Sequence, residues 1–309
     1  MKAIIVLLSI CLASSGIDRE RPDSWILSPD AQIFVASTPC DSVSKSLLNI
    51  PLTEKCEWMQ WKFIIYPSAH QYSLTCRYGM TRPGTRQFGD GSKTIELQGK
   101  WTTDHSGVTY TLETNRPGVN LSFLRLGENL FHLLDQNKRL MVGDGGFSYT
   151  FNRVSPVSAQ ASSVNLMPAN LPPMSQSSVM GVYLGRTPND HEAREFNKII
   201  APQGQITKWR LTLYQDSIAH RPTTFKLETL YVGTGNDMHV NMGRWKLAKG
   251  WAKDPEARIY ILELNPSNSL DQLIFLQGDG NVLFMLDRNY NYKVGDEYSA
   301  YTLNRAKRV

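Results

Sequence analysis

The chain repeats itself once, and that repetition limits what it can fold into. Asn129-Leu130-Phe131-His132-Leu133-Leu134-Asp135 matches Asn281-Val282-Leu283-Phe284-Met285-Leu286-Asp287, a spacing of 152 residues. The same spacing carries Val142-Gly143-Asp144 onto Val294-Gly295-Asp296, and Tyr149-Thr150-Phe151-Asn152-Arg153 onto Tyr301-Thr302-Leu303-Asn304-Arg305. Upstream the spacing drifts, as insertions would make it: Thr38-Pro39 matches Thr187-Pro188, Trp61-Lys62-Phe63 matches Trp209-Arg210-Leu211, and Gly99-Lys100-Trp101 matches Gly243-Arg244-Trp245. Two copies are too few for a solenoid, which needs three or more stacked repeats. Each copy is long enough to bury its own core. The expected units are residues 25–154 and 181–309, joined by a linker at 155–180 whose Ser, Pro and Ala content carries neither helical nor strand periodicity.

Ahead of the first unit, Lys2 precedes an apolar run at residues 3–13 and the small residues Ser14, Ser15 and Gly16. The run is too short to span a bilayer and reads as an export leader, residues 1–15, cut after Ser15. Leu8-Ser9-Ile10-Cys11 offers an alternative, a lipid anchor on Cys11, although Ile10 stands where such a motif places a small residue. Either way the chain is exported, and its only membrane attachment is through lipid. Charged residues make up 20% and apolar ones 41%, an ordinary globular balance. The net charge of +5 is dispersed and accompanies no nucleic-acid motif, so no nucleic-acid partner is expected.

Within each unit a short extended piece, residues 32–36 or 182–185, precedes a helix-start signal. Thr38 stands as N-cap, Pro39 at the first helical position and Asp41 as the capping-box acid; Thr187, Pro188 and Asp190 repeat them. The helices place Val43 with Leu47, and Phe196 with Ile200, on one face. The pattern then changes to period two, with Trp61, Phe63 and Ile65, or Trp209, Leu211 and Leu213, on one side of a strand. Turn signals recur, among them Phe88-Gly89-Asp90-Gly91, Asp104-His105-Ser106-Gly107, Gly278-Asp279-Gly280-Asn281 and Asp287-Arg288-Asn289-Tyr290. Many short strands joined by adjacent hairpins favour an up-and-down barrel, in which closure removes exposed edges. The expected fold is all-β: two tandem barrels, each with a short N-terminal helix.

The ordered blocks resemble the N-terminal domain of the copper-resistance lipoprotein NlpE family, in particular its Bacteroidetes relatives. They comprise a Gly185-Arg186-Thr187-Pro188 start, a Trp-Lys or Trp-Arg strand, a Gly-basic-Trp strand and a Tyr301-Thr302-Leu303-Asn304-Arg305 ending. The resemblance covers both units. It implies lipocalin-like barrels in a bacterial envelope, periplasmic or outer-membrane-associated, in a family linked to copper tolerance and envelope stress. Two features depart from the founding pattern: its Cys-x-x-Cys pair is missing, and the barrel is duplicated where the founding member has a second domain of another type.

Exposure to an oxidising envelope favours disulfides. Cys40 and Cys56 are the paired candidates, because their counterparts, Asn189 and the neighbourhood of Gly204 to Ile206, lack thiols together; two separately buried thiols are the alternative. Cys76 is left as a free thiol. Met238-His239-Val240-Asn241-Met242 has copper-compatible ligands, yet on a strand Met238 and Met242 share a face while His239 takes the other, so no metal site is assigned. His191-Glu192-Ala193-Arg194-Glu195 lacks the second histidine of a zinc-protease helix. Trp101 and Trp245 read as aromatic plugs at a barrel end, their neighbouring glycines permitting close approach. With no catalytic motif and no cofactor fingerprint, the reading is of a non-enzymatic binding or sensing protein, its partner an envelope protein or a small ligand. A copper- or zinc-handling protein and a hydrolase assembled from distant loops are the alternatives.

Overall fold

A computed structural model describes residues 29–154, 177–188, 206–232, 238–251, 254–265 and 271–307. The first unit contains β1 (Gln32–Pro39), α1 (Ser42–Leu47), β2 (Trp58–Tyr66), β3 (Gln71–Gly79), β4 (Lys93–Thr103), β5 (Thr109–Thr114), β6 (Leu121–Arg125), β7 (Leu130–Leu134) and β8 (Thr150–Arg153). The second contains β9 (Ser177–Pro188), β10 (Ile206–Asp216), β11 (Pro222–Val232), β12 (Met238–Trp251), β13 (Asp254–Glu263), β14 (Gln272–Gln277), β15 (Val282–Leu286) and β16 (Thr302–Arg305). Each set closes into an antiparallel barrel in which sequential strands pair and the last returns to the first, β8 on β1 and β16 on β9. The expected all-β tandem of up-and-down barrels is therefore what the chain forms.

Period-two alternation drives closure. On β2, Met59, Trp61, Phe63 and Ile65 enter the core while Lys62 stays in solvent. The first barrel is filled along its axis by rings: Phe34 lies 4.8 Å from Phe131, Phe63 stacks on Phe123 at 4.9 Å, and Phe123 meets Phe151 at 5.1 Å. Trp101 and Trp245 do act as the plugs expected of them. Their indole nitrogens donate to the carbonyls of Gln71 at 3.1 Å and Tyr214 at 2.7 Å, and they pack on Tyr110 and Tyr260. A Cβ on Gly99 or Gly243 would collide with the Glu113 or Glu263 carbonyl, the close approach that only glycine allows.

Three local expectations are corrected. β1 runs through Thr38 and Pro39, which pair with Met59 and Trp58, so Thr38 is not a helix cap. Its hydroxyl instead accepts the Trp61 Nε1 hydrogen at 2.8 Å, and Trp209 repeats the bond to Thr187. The cap of α1 is Asp41, whose carboxylate accepts the Ser44 amide at 2.9 Å. Leu47 is buried but Val43 is 44% exposed, because so short a helix leans on the core through Leu47, Leu48 and Ile50. Strand β9 reaches into the stretch expected as linker, since Ser177 to Val179 pair with the end of β10. Asp190, Phe196 and Ile200, and with them the second expected helix, lie outside the described residues.

The repeated apolar blocks have a further role. β7 and β15 are buried on both faces: Phe131, Leu133, Leu283 and Met285 point into their barrels, while Leu130, Val282, Phe284 and Leu286 point out into a second cluster. That cluster joins Leu126 and Leu130 of the first barrel to Ile259, Ile261, Ile274 and Leu276 of the second. Such side chains contribute roughly 1.5–3 kcal/mol each when fully buried. The barrels are thus docked on each other.

Polar contacts at the junction come in reciprocal pairs. Asn304 Oδ1 accepts the Gly143 amide at 2.8 Å and its Nδ2 donates to the Phe147 carbonyl at 3.2 Å. Asn152 does the same to Gly295, at 2.7 Å, and to Ser299, at 3.3 Å. Ser37 donates to the Glu297 carbonyl, and Arg186, at the corresponding position, donates to the Gly145 carbonyl. A Cβ on Gly143 or Gly295 would strike the Phe147 or Ser299 carbonyl, which accounts for the repeated Val-Gly-Asp blocks.

Candidate binding groove between the barrels

Docking creates a groove of about 440 Å³ that neither repeat could build alone. The first unit supplies Glu57 and Trp58 at the start of β2, Thr81, Thr85 and Arg86 between β3 and β4, and Phe147 ahead of β8. The second supplies Arg186 on β9, Ile206 at the start of β10, and Tyr298 ahead of β16. Trp58 sits outside its barrel because Met59 and Trp61 take the inward positions, and it stacks on Phe88 at 4.8 Å.

The groove is rich in donors. Arg186 lies over the Phe147 ring at 4.0 Å, with its Nε committed to the Gly145 carbonyl. Burial lowers its pKa, the mark of a guanidinium partly stripped of water. Arg86 lies over Tyr298 at 4.8 Å. The indole N–H of Trp58, a residue only 4% exposed, is buried with no hydrogen-bond partner among the described residues. An orphaned donor of this kind costs about 1–3 kcal/mol until something accepts from it. Glu57 is the carboxylate of the lining, and it is already engaged: the Thr81 hydroxyl and amide hydrogen-bond to it and hold its pKa below the usual range.

Cys40 and Cys56 form the expected disulfide, with Cα atoms 5.7 Å apart, and Cys76 is free and buried. The bond anchors the segment leading directly into Glu57 and Trp58, while Cys40 N–H donates to the Glu57 carbonyl at 3.2 Å. The cystine therefore braces one wall of the groove. Met238 and Met242 point outward and His239 turns toward the Tyr231 ring, 5.5 Å away, so the structure does not bring these three together. His191 to Glu195 lie outside the described residues.

Sequence reasoning missed the groove. Arg186 enters only through the Gly185-Arg186-Thr187-Pro188 start that carries the family resemblance, and Trp58, Phe147 and Tyr298 belong to no linear motif. The one available signal was that Phe147, Arg186 and Tyr298 flank repeat blocks without being repeated themselves. No family model matches the chain, and no curated protein or solved structure matches it.

Proposed function

We propose that this chain is a non-enzymatic binding or sensing protein of the bacterial cell envelope, and that it captures an anionic ligand in the groove between its barrels. The observation that carries this reading is the convergence of Arg86, Arg186 and the unpartnered Trp58 N–H on one cavity. All three offer hydrogens to an acceptor, and the Phe147 and Trp58 rings favour a ligand with a flat apolar part. Among the described residues no histidine or cysteine lines the groove, and the one hydroxyl that meets a carboxylate, Thr81 on Glu57, faces a group whose pKa that contact lowers, so it is a weak base and the lining suits binding. Envelope residence is supported by the leader-like N-terminus and by the Cys40–Cys56 bond, which an oxidising compartment sustains. The NlpE-like resemblance of the repeated blocks agrees with this placement.

The test is tryptophan fluorescence of the chain from Gly16 onward, titrated with phenyl phosphate and with uncharged benzyl alcohol. The reading expects binding of phenyl phosphate, weakened at least about tenfold by Arg186→Gln. Equal affinity for benzyl alcohol, or unchanged binding in the variant, would overturn it. Stoichiometric copper or zinc in the purified chain would favour metal handling instead, and turnover in an esterase and glycosidase panel would favour a hydrolase.

A further inference from the structure

The two barrels share one scaffold, so their interiors can be compared position by position. Trp61 pairs with Cys76 and Trp209 with Thr229; Cys76 pairs with Ile95 and Thr229 with His239. Through this register Met59, Cys76, Ile95 and Leu97 of the first barrel correspond to Thr207, Thr229, His239 and Asn241 of the second. Four adjoining inward positions, apolar in one barrel, are all polar in the other. Three inward rings are also replaced by smaller side chains, Phe63, Phe131 and Phe151 by Leu211, Leu283 and Leu303.

The polar replacements are not satisfied by their surroundings. Thr207 and Thr229 are 0% and 3% exposed, yet the hydroxyls of both, the Asn241 Nδ2 and the Tyr301 hydroxyl are buried without a hydrogen-bond partner among the described residues. In the first barrel the hydroxyl of Tyr149, the counterpart of Tyr301, reaches the Pro39 carbonyl at 3.4 Å. An eight-stranded barrel is just wide enough either to be filled by side chains or to hold one small ligand. The first barrel takes the former course, and the second exchanges three rings for leucines while gaining hydrogen-bonding groups without a partner among the described residues.

We propose that this end of the second barrel's interior binds one small uncharged, hydroxyl-bearing molecule of the sugar or polyol class. The site is separate from the groove and selects different chemistry. Three hydroxyls can each donate and accept, and the Asn241 amide donates, matching a ligand whose own hydroxyls do both. These four groups carry no charge, so an ionic ligand would be desolvated without compensation. The ammonium of Lys293 lies over the Tyr301 ring at 4.2 Å, so the charged counterparts in the test read whether it draws an anion to this end instead. The ring of Tyr231, beside His239, offers an apolar face of the kind a sugar's C–H groups pack against.

Saturation-transfer NMR on the full chain would test this with glucose, N-acetylglucosamine and glycerol, and with glucuronate and glucosamine as charged counterparts. At least one neutral probe should bind at millimolar concentration, and binding should weaken at least about tenfold in Thr207→Met/Asn241→Leu. That variant installs residues the same scaffold already accommodates in the first barrel, so its melting temperature should equal or exceed that of the parent. Should it fail to fold, Thr229→Cys provides the same comparison. The proposal falls if no neutral probe binds, if charged counterparts bind better, or if binding survives in a folded variant. Loss of phenyl phosphate binding in Arg186→Gln would bear on the groove alone.

Discussion

The hydroxyls of Thr150 and Thr302 meet at 2.9 Å in a buried contact, and the two residues occupy the same position in their repeats. Taken with the reciprocal contacts of Asn152 and Asn304, this meeting of counterparts marks a local two-fold axis. The barrels are therefore related as the subunits of an isologous dimer are, fused into one chain. Around that axis the Asn152 and Asn304 contacts exchange roles, and His132 packs edge-on against its counterpart Phe284 at 5.4 Å.

The first prediction concerns this junction. Asn304→Ala leaves the buried Gly143 amide and Phe147 carbonyl without their side-chain partner, and should cost about 1–3 kcal/mol of stability in urea denaturation. Fragment 177–309 alone would expose Ile259, Ile261, Ile274 and Phe284. Analytical ultracentrifugation should show it self-associating, and then forming a one-to-one complex when fragment 29–154 is added. A monodisperse fragment indifferent to its partner would refute the docking.

A second prediction follows from His132. Its Nδ1 faces Thr150 Oγ1 at 3.0 Å and its Nε2 the Met141 carbonyl at 2.9 Å, and burial pushes its pKa down to about 4 from an ordinary value of 6.5. The unfolded chain then binds the proton more readily than the folded one between these two values. Stability is complete above pH 6.5 and declines as pH falls toward 4, by up to about 3 kcal/mol. His132→Phe, which copies Phe284, should remove this part of the acid sensitivity. Melting curves of parent and variant with parallel pH dependence would count against it.

Opening the disulfide is the third. Cys40→Ser/Cys56→Ser should lower stability by up to about 3 kcal/mol, since the loop it closes is of moderate length. It should also weaken phenyl phosphate binding, because Glu57 and Trp58 lose their brace. Calorimetry on the double variant reads both quantities, and unaltered affinity would show that the wall stands without the cystine.

The fourth concerns the duplicated indole bond. Thr38→Val removes the acceptor of Trp61 Nε1 inside the first barrel and should cost about 1–3 kcal/mol. Thr187→Val should cost a similar amount through Trp209. If either substitution proves neutral by thermal denaturation, the bond is not what holds the strand in register.

The local errors of sequence reading share a cause. Thr38-Pro39 has the composition of a helix start, but its hydroxyl is claimed by an indole 23 residues away, and the strand continues beneath it. Met238, His239 and Met242 lie close in sequence, yet the strand period alone was enough to separate them, and the structure agrees.

By itself the sequence determined the all-β class, the tandem of closed repeats and Cys40 with Cys56 as the candidate pair. Alternation of period two and turn residues act over a few positions, and the absence of both thiol counterparts in the second copy is visible in one dimension. The tertiary structure alone decided that the repeats dock about a two-fold axis and that Trp58, Arg86, Arg186 and Tyr298 enclose a cavity. Those contacts join residues of different repeats on the outer faces of closed barrels. There, neither hydrophobic period nor motif spacing records which surface will be covered.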